Sequence, residues 1–398
     1  MSRPERSGAG APLVVLEQVT LTAQARLDPY PLYAEARAAG GVVYVRDPGV
    51  WGVFGHDEVK AILADPRRFS SDAHGGQSLL STDPPRHGPL RALVQRAFTP
   101  AAVAALEPRV RALTAELLEA AAGRGSLEVI GDLAAPLPVL VIAELLGIPG
   151  ADRARFKRWS DQVIASTDAV LLGSRAERPQ GAGAGEEAML DYFRGILALR
   201  RARPGPDLIS ALLAAELGGQ RLSEQELLDF CWLLLVAGNV TTTNLIGNAV
   251  LCLLEHPAAE RRLRAEPGLL PATIEEVLRH RSPVQAVFRV TVCAVEVAGQ
   301  RIPAGETVIA WLGSANRDGR RIPDPERFDP GRRPNPHVGF GHGIHFCLGA
   351  PLARLEAQVA LEALLARLPA LRRADAEPLE PVAGIMLHGV RRMALAQR

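Results

Sequence analysis

The chain has 398 residues, 47% of them hydrophobic, which is typical of a packed globular protein with one large domain or two ordinary ones. Its 45 Lys and Arg residues balance 44 Asp and Glu residues, which argues against nucleic acid binding through a basic surface. Four scattered cysteines are too few for a disulfide framework and favour a reducing compartment.

The amino-terminal stretch, residues 1–25, contains only a short apolar patch, and we expect it to be flexible. Nowhere do 18 uncharged apolar residues run together, as a membrane-spanning helix requires. We therefore expect a cytoplasmic protein with no export signal and no membrane anchor.

The first half of the chain is predicted to be mostly helical, with one early hairpin. The apolar stretches GGVVYV and VWGVFG flank Arg46-Asp47-Pro48-Gly49, which is a strong turn signal. Asp57 is then predicted to cap a short helix through Leu63, and apolar residues recur at helical spacing from Pro89 to Leu146.

Two later segments depart from the helical pattern. Residues Gly173 to Glu187 contain four glycines and a proline, which predicts a flexible loop between two amphipathic helices. Residues Val295 to Leu312 alternate as short strands do. Because no shift in composition marks a boundary, we predict a mainly α fold with a small β region, in a single domain spanning residues 1–398.

One long apolar helix is predicted between Ser223, which forms a capping box with Glu226, and His256-Pro257. It has about 31 residues and a length of roughly 46 Å. Its centre contains Gly238, Asn239 and the β-branched run from Val240 to Thr243, all of which are poor helix formers. These residues must therefore serve a purpose other than helix formation at the centre of this helix.

A second helix is predicted to begin just after Cys347, in the segment FGHGIHFCLGAPLARLEAQVALEALL. The unpaired N–H groups at a helix amino terminus favour a thiolate, which is the form of cysteine that binds metal. Gly341, Gly343 and Gly349 allow the backbone to approach a flat or bulky group closely.

Three interpretations of this segment compete. Cys347 is either an ordinary buried cysteine on a glycine-rich turn, or one ligand of a zinc site with His342 and His345. Structural zinc needs four ligands, however, and no further pair of ligands lies nearby. The third interpretation, the axial ligand of a haem iron, needs only one thiolate.

The segment Phe340 to Gly349 matches F-x-x-G-x-H/R-x-C-x-G, the signature of the cytochrome P-450 haem-thiolate monooxygenases. Three other segments resemble motifs of that family in the same order: the oxygen-activation motif at Ala237 to Thr241, the E-x-x-R pair at Glu276 to Arg279, and the P-E-R-F segment at Pro325 to Phe328. The chain most resembles the soluble bacterial members, which implies the cytochrome P-450 fold with one haem b.

The resemblance implies roles for residues that hold this cofactor. Cys347 corresponds to the axial ligand of the haem iron, with Phe340 packed beside the thiolate loop and with Gly341 and Gly349 in the loop itself. Cationic side chains correspond to those that hold the haem propionates: His345, Arg289, Arg91 and, less closely, His87. Because Gly88-Pro89 follows His87, we expect the helix to start near Pro89, which places His87 off the helical face of Arg91.

Other residues take structural or pocket roles by the same resemblance. Glu276 and Arg279 correspond to a buried structural ion pair rather than to catalytic groups. The substrate pocket is expected to be lined by the Ser71 to Leu80 loop and by the apolar residues Val236, Val240, Val284 to Val287, Ile385 and Met386.

The chain departs from the family where protons are supplied for oxygen activation. Family members usually have an acid before the threonine, whereas this chain has Val240 before Thr241. Thr241 retains a hydroxyl, Gly238 is expected to leave space for oxygen, and Asn239 to order a water. Ordinary hydroxylation through a water chain, the use of peroxide or nitric oxide, and a haem-binding protein without turnover all remain open.

The expected reaction is hydroxylation or epoxidation of a lipophilic small molecule by O2, in specialised-metabolite biosynthesis. The resemblance implies electrons from NAD(P)H through a separate ferredoxin and its reductase, docked near Arg96, Arg332 and Arg333. We expect a monomer.

Overall fold

The structure, a computed structural model, describes residues 22–46, 49–72, 78–159 and 182–397. It is mainly helical, as predicted. In chain order its helices are α1 (Ala23–Leu27), α2 (Tyr30–Ala38), α3 (His56–Ala64), α4 (His87–Ala97), α5 (Pro100–Ala105), α6 (Glu107–Ala120), α7 (Pro136–Leu145), α8 (Ala182–Ala202), α9 (Leu208–Ala214), α10 (Glu224–Glu255), α11 (Pro257–Ala265), α12 (Leu270–His280), α13 (Leu312–Ala315) and α14 (Ala350–Arg367).

The β region is small and lies mostly in one sheet. The strands are β1 (Val42–Val45), β2 (Val50–Val53), β3 (Phe69–Ser70), β4 (Ser126–Glu128), β5 (Val287–Thr291), β6 (Val295–Val297), β7 (Gln300–Ile302), β8 (Thr307–Ala310) and β9 (Ala394–Ala396). The main sheet has the order β1-β2-β8-β5-β3, and β4-β9 and β6-β7 form separate pairs. The predicted hairpin is confirmed, because β1 pairs with β2 in antiparallel register from Val42–Val53 to Val45–Val50.

Helix α10 forms the centre of the helical core. Its 32 residues begin with the predicted capping box of Ser223 and Glu226 and end before His256. The helix packs directly on α7, α12 and α14. Among the described residues it is the one helix with the length and apolar composition of a membrane span, and 56% of its most apolar window is buried inside the fold.

Three local expectations are changed or left open. Helix α3 begins at His56 with Gly55 as its cap, so Asp57 lies in the first turn, where its carboxylate pairs with Arg321. The predicted loop from Gly173 is described only from residue 182, where α8 has already begun; residues 173–181 lie outside the described residues. Of the stretch expected to be flexible, residues 1–21 lie outside the described residues, and α1 starts at Ala23.

Candidate active site

Cys347 lies in a tight loop that leads into α14. Gly341 and Gly343 have φ angles of +73° and +72°, and a side chain at Gly343 would overlap the carbonyl oxygen of Leu63. Only glycine fits at Gly343, because the backbone there is left-handed and a side chain would collide with another segment. The Cys347 N–H donates to the Phe340 carbonyl at 2.9 Å, which closes the loop.

The environment of the Cys347 sulfur acts on its charge in opposing ways. Burial raises the pKa of the thiol, while backbone N–H groups of Gly349 and Ala350 and the charges of Arg91 and Arg354 lower it. Burial prevails, so the pKa of the free thiol lies above its usual value. A bound metal cation reverses this balance, since it stabilises the thiolate directly.

Four polar side chains converge near this loop and have hydrogen-bonding capacity that the protein leaves unused. The rings of His87 and His345 lie 4.4 Å apart, and the Nε2 atom of each is buried without a hydrogen-bond partner, with that of His345 4.0 Å from the Asp83 carboxylate. Arg289 is 8% exposed and donates to the Phe288 carbonyl, and Arg91 donates to the Phe346 carbonyl.

This cluster has the character of a carboxylate-binding site. Burial and the charges of His87, Arg289 and Arg91 lower the pKa of His345 to about 4, against the opposing effect of Asp83. Buried donors without partners are costly. The carboxylates of haem propionates would satisfy these donors, so the residues present fit the cofactor that the cysteine loop implies.

The predicted start of α4 is wrong. The helix begins at His87, two residues before Pro89. Proline is tolerated there because the first N–H groups of a helix have no intrahelical partner to lose. His87 and Arg91 are consequently four residues apart on one helix, and they share a face that meets His345.

Helix α10 remains regular through its unfavourable centre, where several residues are partly exposed in an otherwise buried helix. These residues are Trp232, Leu233, Leu234, Val236, Ala237, Gly238, Val240, Thr241 and Thr243. The Thr241 hydroxyl donates to the Ala237 carbonyl at 2.7 Å, so the predicted i−4 bond is present. The small side chain of Ala237 lies on the same face, a feature that the sequence reasoning missed.

Asn239 points away from this face, whereas Gly238 lies only about 60° round the helix from Thr241 and is itself partly exposed. A side chain at Gly238 would meet Ile142 Cδ1 of α7 at 3.0 Å, so its absence makes room for the neighbouring helix. Asn239 is 3% exposed and accepts from the Thr243 hydroxyl, which also reaches the Ala134 carbonyl. At 100° per residue Asn239 lies about 200° from Thr241. The geometry therefore does not support Asn239 as an organiser of water beside Thr241, whereas the role of Gly238 in leaving space for oxygen stays a prediction.

Two of the predicted pocket segments lie side by side. Val284 forms an isolated bridge with Leu387, and the Gln285 N–H donates to the Met386 carbonyl at 2.8 Å. Met386 is buried, whereas Val284, Val287 and Ile385 are partly exposed. Val236 and Val240 lie on the partly exposed part of α10, and residues 73–77 of the expected pocket loop lie outside the described residues.

Glu276 and Arg279 form the predicted buried pair, with both side chains 0% exposed. Arg279 donates twice to Glu276 at 2.8 Å and also to the carbonyls of Pro325 and Arg327. Glu276 accepts from Arg332 and from the N–H of Asp329. The pair thus fixes the P-E-R-F segment, and Arg332, whose side chain is 10% exposed, is engaged here rather than free for a partner protein.

The zinc interpretation finds no set of ligands. Within the described parts of the chain, no group of three or more His, Cys, Asp or Glu side chains is placed to hold a metal ion. The convergence of two histidines and two arginines beside a single cysteine instead fits one axial thiolate with carboxylate anchors.

Sequence reasoning missed three side chains close to the cysteine loop: Glu275, His337 and Arg354. Arg354 lies with its guanidinium 4.6 Å from the centre of the Phe340 ring, and Glu275 binds both Arg354 and His337. Arg354 occurs seven residues after Cys347, one helical turn inside α14. This spacing was the sequence signal that could have indicated a position near the cysteine loop.

Comparison with known proteins agrees with this geometry. A family model described as "Cytochrome P450" matches residues 132–388. Cytochrome P450 monooxygenase PikC from Streptomyces venezuelae is 42% identical over 388 residues, which cover 93% of this chain and 91% of that protein. Cyclomarin C epoxidase CymV from Salinispora arenicola is 46% identical over 330 residues, which cover 80% of this chain and 83% of that protein.

A solved structure is similar over nearly the whole chain. The crystal structure of CYP109E1 from Bacillus megaterium in complex with testosterone has a TM-score of 0.88 and 42% sequence identity. The match covers 93% of this chain and 99% of that one.

Proposed function

The chain belongs to the cytochrome P450 family of monooxygenases, and we propose that it hydroxylates or epoxidises a lipophilic small molecule in specialised-metabolite biosynthesis. The observation that carries this proposal is the position of Cys347 in a glycine-shaped loop before α14, beside two histidines whose buried Nε2 atoms have no hydrogen-bond partner and two arginines. When bound, haem supplies the activation of O2 and the redox chemistry.

We assign the cofactor contacts residue by residue. Cys347 is the axial thiolate, and Phe340, Gly341 and Gly349 shape its loop. His87, Arg91, Arg289 and His345 hold the propionates; their mutual proximity and unused donors support this assignment.

Thr241 is the side chain that we assign to proton handling at the oxygen-binding face. Its hydroxyl donates to the Ala237 carbonyl and retains lone pairs that accept a hydrogen bond from a water. Val240, on the same partly exposed stretch of α10, has no ionisable group. We therefore propose that a water chain, ordered by Thr241, delivers the protons.

The substrate proposal draws on the character of the pocket and on relatives. The expected pocket residues on α10, on the 284–287 segment and at 385–386 are largely apolar, which suits a lipophilic molecule held by few polar contacts. One relative is named as an epoxidase of cyclomarin C, and the structural neighbour is a complex with testosterone. Bulky lipophilic natural products are accordingly the class to screen, by the shift in haem spin state that substrate binding causes.

We propose a ferredoxin and its reductase as electron donors from NAD(P)H, with docking on the face behind Cys347. Arg333 is exposed, Arg96 is exposed but donates to the Glu216 carbonyl, and Arg332 is engaged by Glu276. An Arg333→Glu change should weaken ferredoxin binding at low salt, measured by titration, while an unchanged affinity would remove this residue from the interface. We place the enzyme in the cytoplasm as a monomer, which gel filtration of the holoenzyme tests; all four cysteines are free thiols.

The central experiment is the ferrous carbon monoxide difference spectrum of the wild type and of Cys347→Ala. The wild type should show the Soret band of a thiolate-ligated haem, and the variant should lose it. A wild-type spectrum without that band would overturn the proposal. Turnover with ferredoxin, reductase and NADPH should then give product with little free peroxide.

A second function is favoured by one observation, the replacement of the relay acid by Val240. An enzyme that takes peroxide or nitric oxide does not need the same proton delivery. Turnover only with added peroxide, or only with nitric oxide, would establish this alternative, and a thiolate-type spectrum without any turnover would point to a haem-binding protein that is not catalytic.

A further inference from the structure

A compact polar cluster connects the cysteine loop to α12. Glu275, on α12, binds Arg354 of α14 through two hydrogen bonds, from Nε at 2.6 Å and from Nη2 at 2.8 Å. His337 Nε2 lies 3.0 Å from the same carboxylate. Burial opposes ionisation of Glu275, but the hydrogen bonds from Arg354 and His337 prevail and lower its pKa to about 2. A paired, fork-shaped contact of this kind fixes the orientation of the guanidinium.

The backbone determines the tautomer of His337. The Gly339 N–H donates to His337 Nδ1 at 3.1 Å, so Nδ1 carries a lone pair rather than a proton. The proton of the neutral imidazole is therefore on Nε2, where it donates to Glu275. His337 thus adds a directed hydrogen bond to the cluster without adding a charge.

Arg354 connects this cluster to the cysteine loop through a contact with Phe340. Its guanidinium carbon lies 4.6 Å from the centre of the Phe340 ring, within the range of a cation–π contact. The Phe340 carbonyl in turn accepts the N–H of Cys347 at 2.9 Å. The charge of Arg354 also acts on the Cys347 sulfur. Side chains of Arg354 and Glu275 are 31% and 29% exposed, so water screens the pair only in part.

We propose that Glu275, Arg354 and His337 are positioning residues, which hold the Phe340 ring on the thiolate loop and set the net charge beside the sulfur, and thereby the reduction potential of the haem. This inference rests on the proposed ligation of haem by Cys347. The pair is nearly neutral as a unit, and removing either partner leaves the opposite charge uncompensated near the sulfur.

The test is a reductive titration of the holoenzyme, followed by its absorption spectrum, which measures the one-electron potential of the haem iron. Arg354→Gln removes a positive charge, disfavours the added electron and should lower the potential. Glu275→Gln leaves Arg354 unopposed and should raise it. The double variant should return close to the wild-type value, because it is neutral like the native pair.

Two further variants separate this role from general damage to the fold. Arg354→Lys keeps the positive charge but loses the paired hydrogen bonds to Glu275 and the planar contact with the Phe340 ring. It should shift the reduction potential less than Arg354→Gln does. Arg111, on α6, pairs with Glu362 of α14 at an exposed position. Arg111→Gln removes that charge and should leave the reduction potential of the haem unchanged.

Shifts of the same sign in Arg354→Gln and Glu275→Gln, or no shift in either, would overturn the inference. Failure of the proposed function is distinguishable, because the wild type itself would then lack the thiolate-type carbon monoxide spectrum. Should Glu275→Gln fail to bind haem, the comparison of Arg354→Gln with Arg354→Lys decides, since equal shifts in these two variants exclude a charge effect.

Discussion

Thr241 and Val240 are neighbours on α10, and only Thr241 carries a side chain that can form hydrogen bonds. The Thr241 hydroxyl is committed as a donor to the Ala237 carbonyl and remains an acceptor. Val240 is partly exposed, so a polar side chain at this position would reach solvent or ligand rather than the core. The residue is therefore open to substitution without loss of packing.

We predict that Val240→Asp speeds product formation and alters the coupling of electron use to product. A positioned acid contributes ~10²–10⁴ to a proton-transfer step, and the proposed water chain would supply part of this in the wild type, so we expect roughly a tenfold rise in the rate of product formation. The rate of product formation, together with product and peroxide measured per NADPH consumed, provides the check. Val240→Asn is the matched control, since it has the same shape but does not ionise. Equal coupling in the wild type and in both variants would show that this position does not affect proton supply.

At the scale of the element, α10 uses its interior glycines for packing. A side chain at Gly238 would approach Ile142 Cδ1 to 3.0 Å, and one at Gly247 would approach Ile130 Cδ1 to 2.8 Å. Glycine costs ~1 kcal/mol in a helix relative to alanine, yet it lets two neighbouring segments come close to the helix. The glycines that make the composition of this helix unfavourable thus have a structural cause.

We predict that Gly238→Ala lowers the free energy of unfolding by about 1 kcal/mol, because overpacking costs ~1–3 kcal/mol and exceeds the gain in helix propensity. Ile142→Val removes the Cδ1 atom that the new side chain meets, so it should restore part of this loss in the double variant. Urea denaturation of the wild type, the two single variants and the double variant, analysed as a double-mutant cycle, measures the interaction energy between the two positions. Unchanged stability together with altered oxygen binding would instead support the role in making space for oxygen.

At the scale of the whole molecule, two buried titratable groups oppose each other in their effect on stability. His388 is 3% exposed, and burial together with Arg281 and Arg317 lowers its pKa to about 3. Below pH 6.5 the unfolded chain binds a proton that the folded chain does not, so stability falls as the pH falls. Glu356 is 2% exposed, and burial raises its pKa to about 8, with Oε2 left without a partner.

We predict that Glu356→Gln becomes progressively more stable than the wild type between pH 4.5 and about 8. In this range the unfolded wild-type chain loses the Glu356 proton while the folded chain keeps it, so wild-type stability falls with rising pH by at most about 1.4 kcal/mol per unit. The difference should be constant above pH 8. Urea midpoints across this range measure it, with exposed Glu362→Gln as the control; parallel pH profiles of Glu356→Gln and the wild type would refute the prediction.

Features that depend on residues close together in the chain were predictable from the sequence. The capping box and the following proline predicted α10 to within one residue, because the hydrogen bonds that start and stop a helix are local. The glycine-rich segment around Cys347 predicted the thiolate loop and the family, since both lie in a few consecutive positions. The buried pair of Glu276 and Arg279 followed from the same resemblance.

The directions of side chains and the contacts between distant segments emerged from the folded structure alone. Asn239 and Arg332 contact packing partners rather than taking the roles first expected of them, because the direction of a side chain depends on the segments that pack against it. Glu275 meets His337 and Arg354, which lie 62 and 79 residues away along the chain. No local rule relates such positions, since their contact is set by the burial of whole helices against one another.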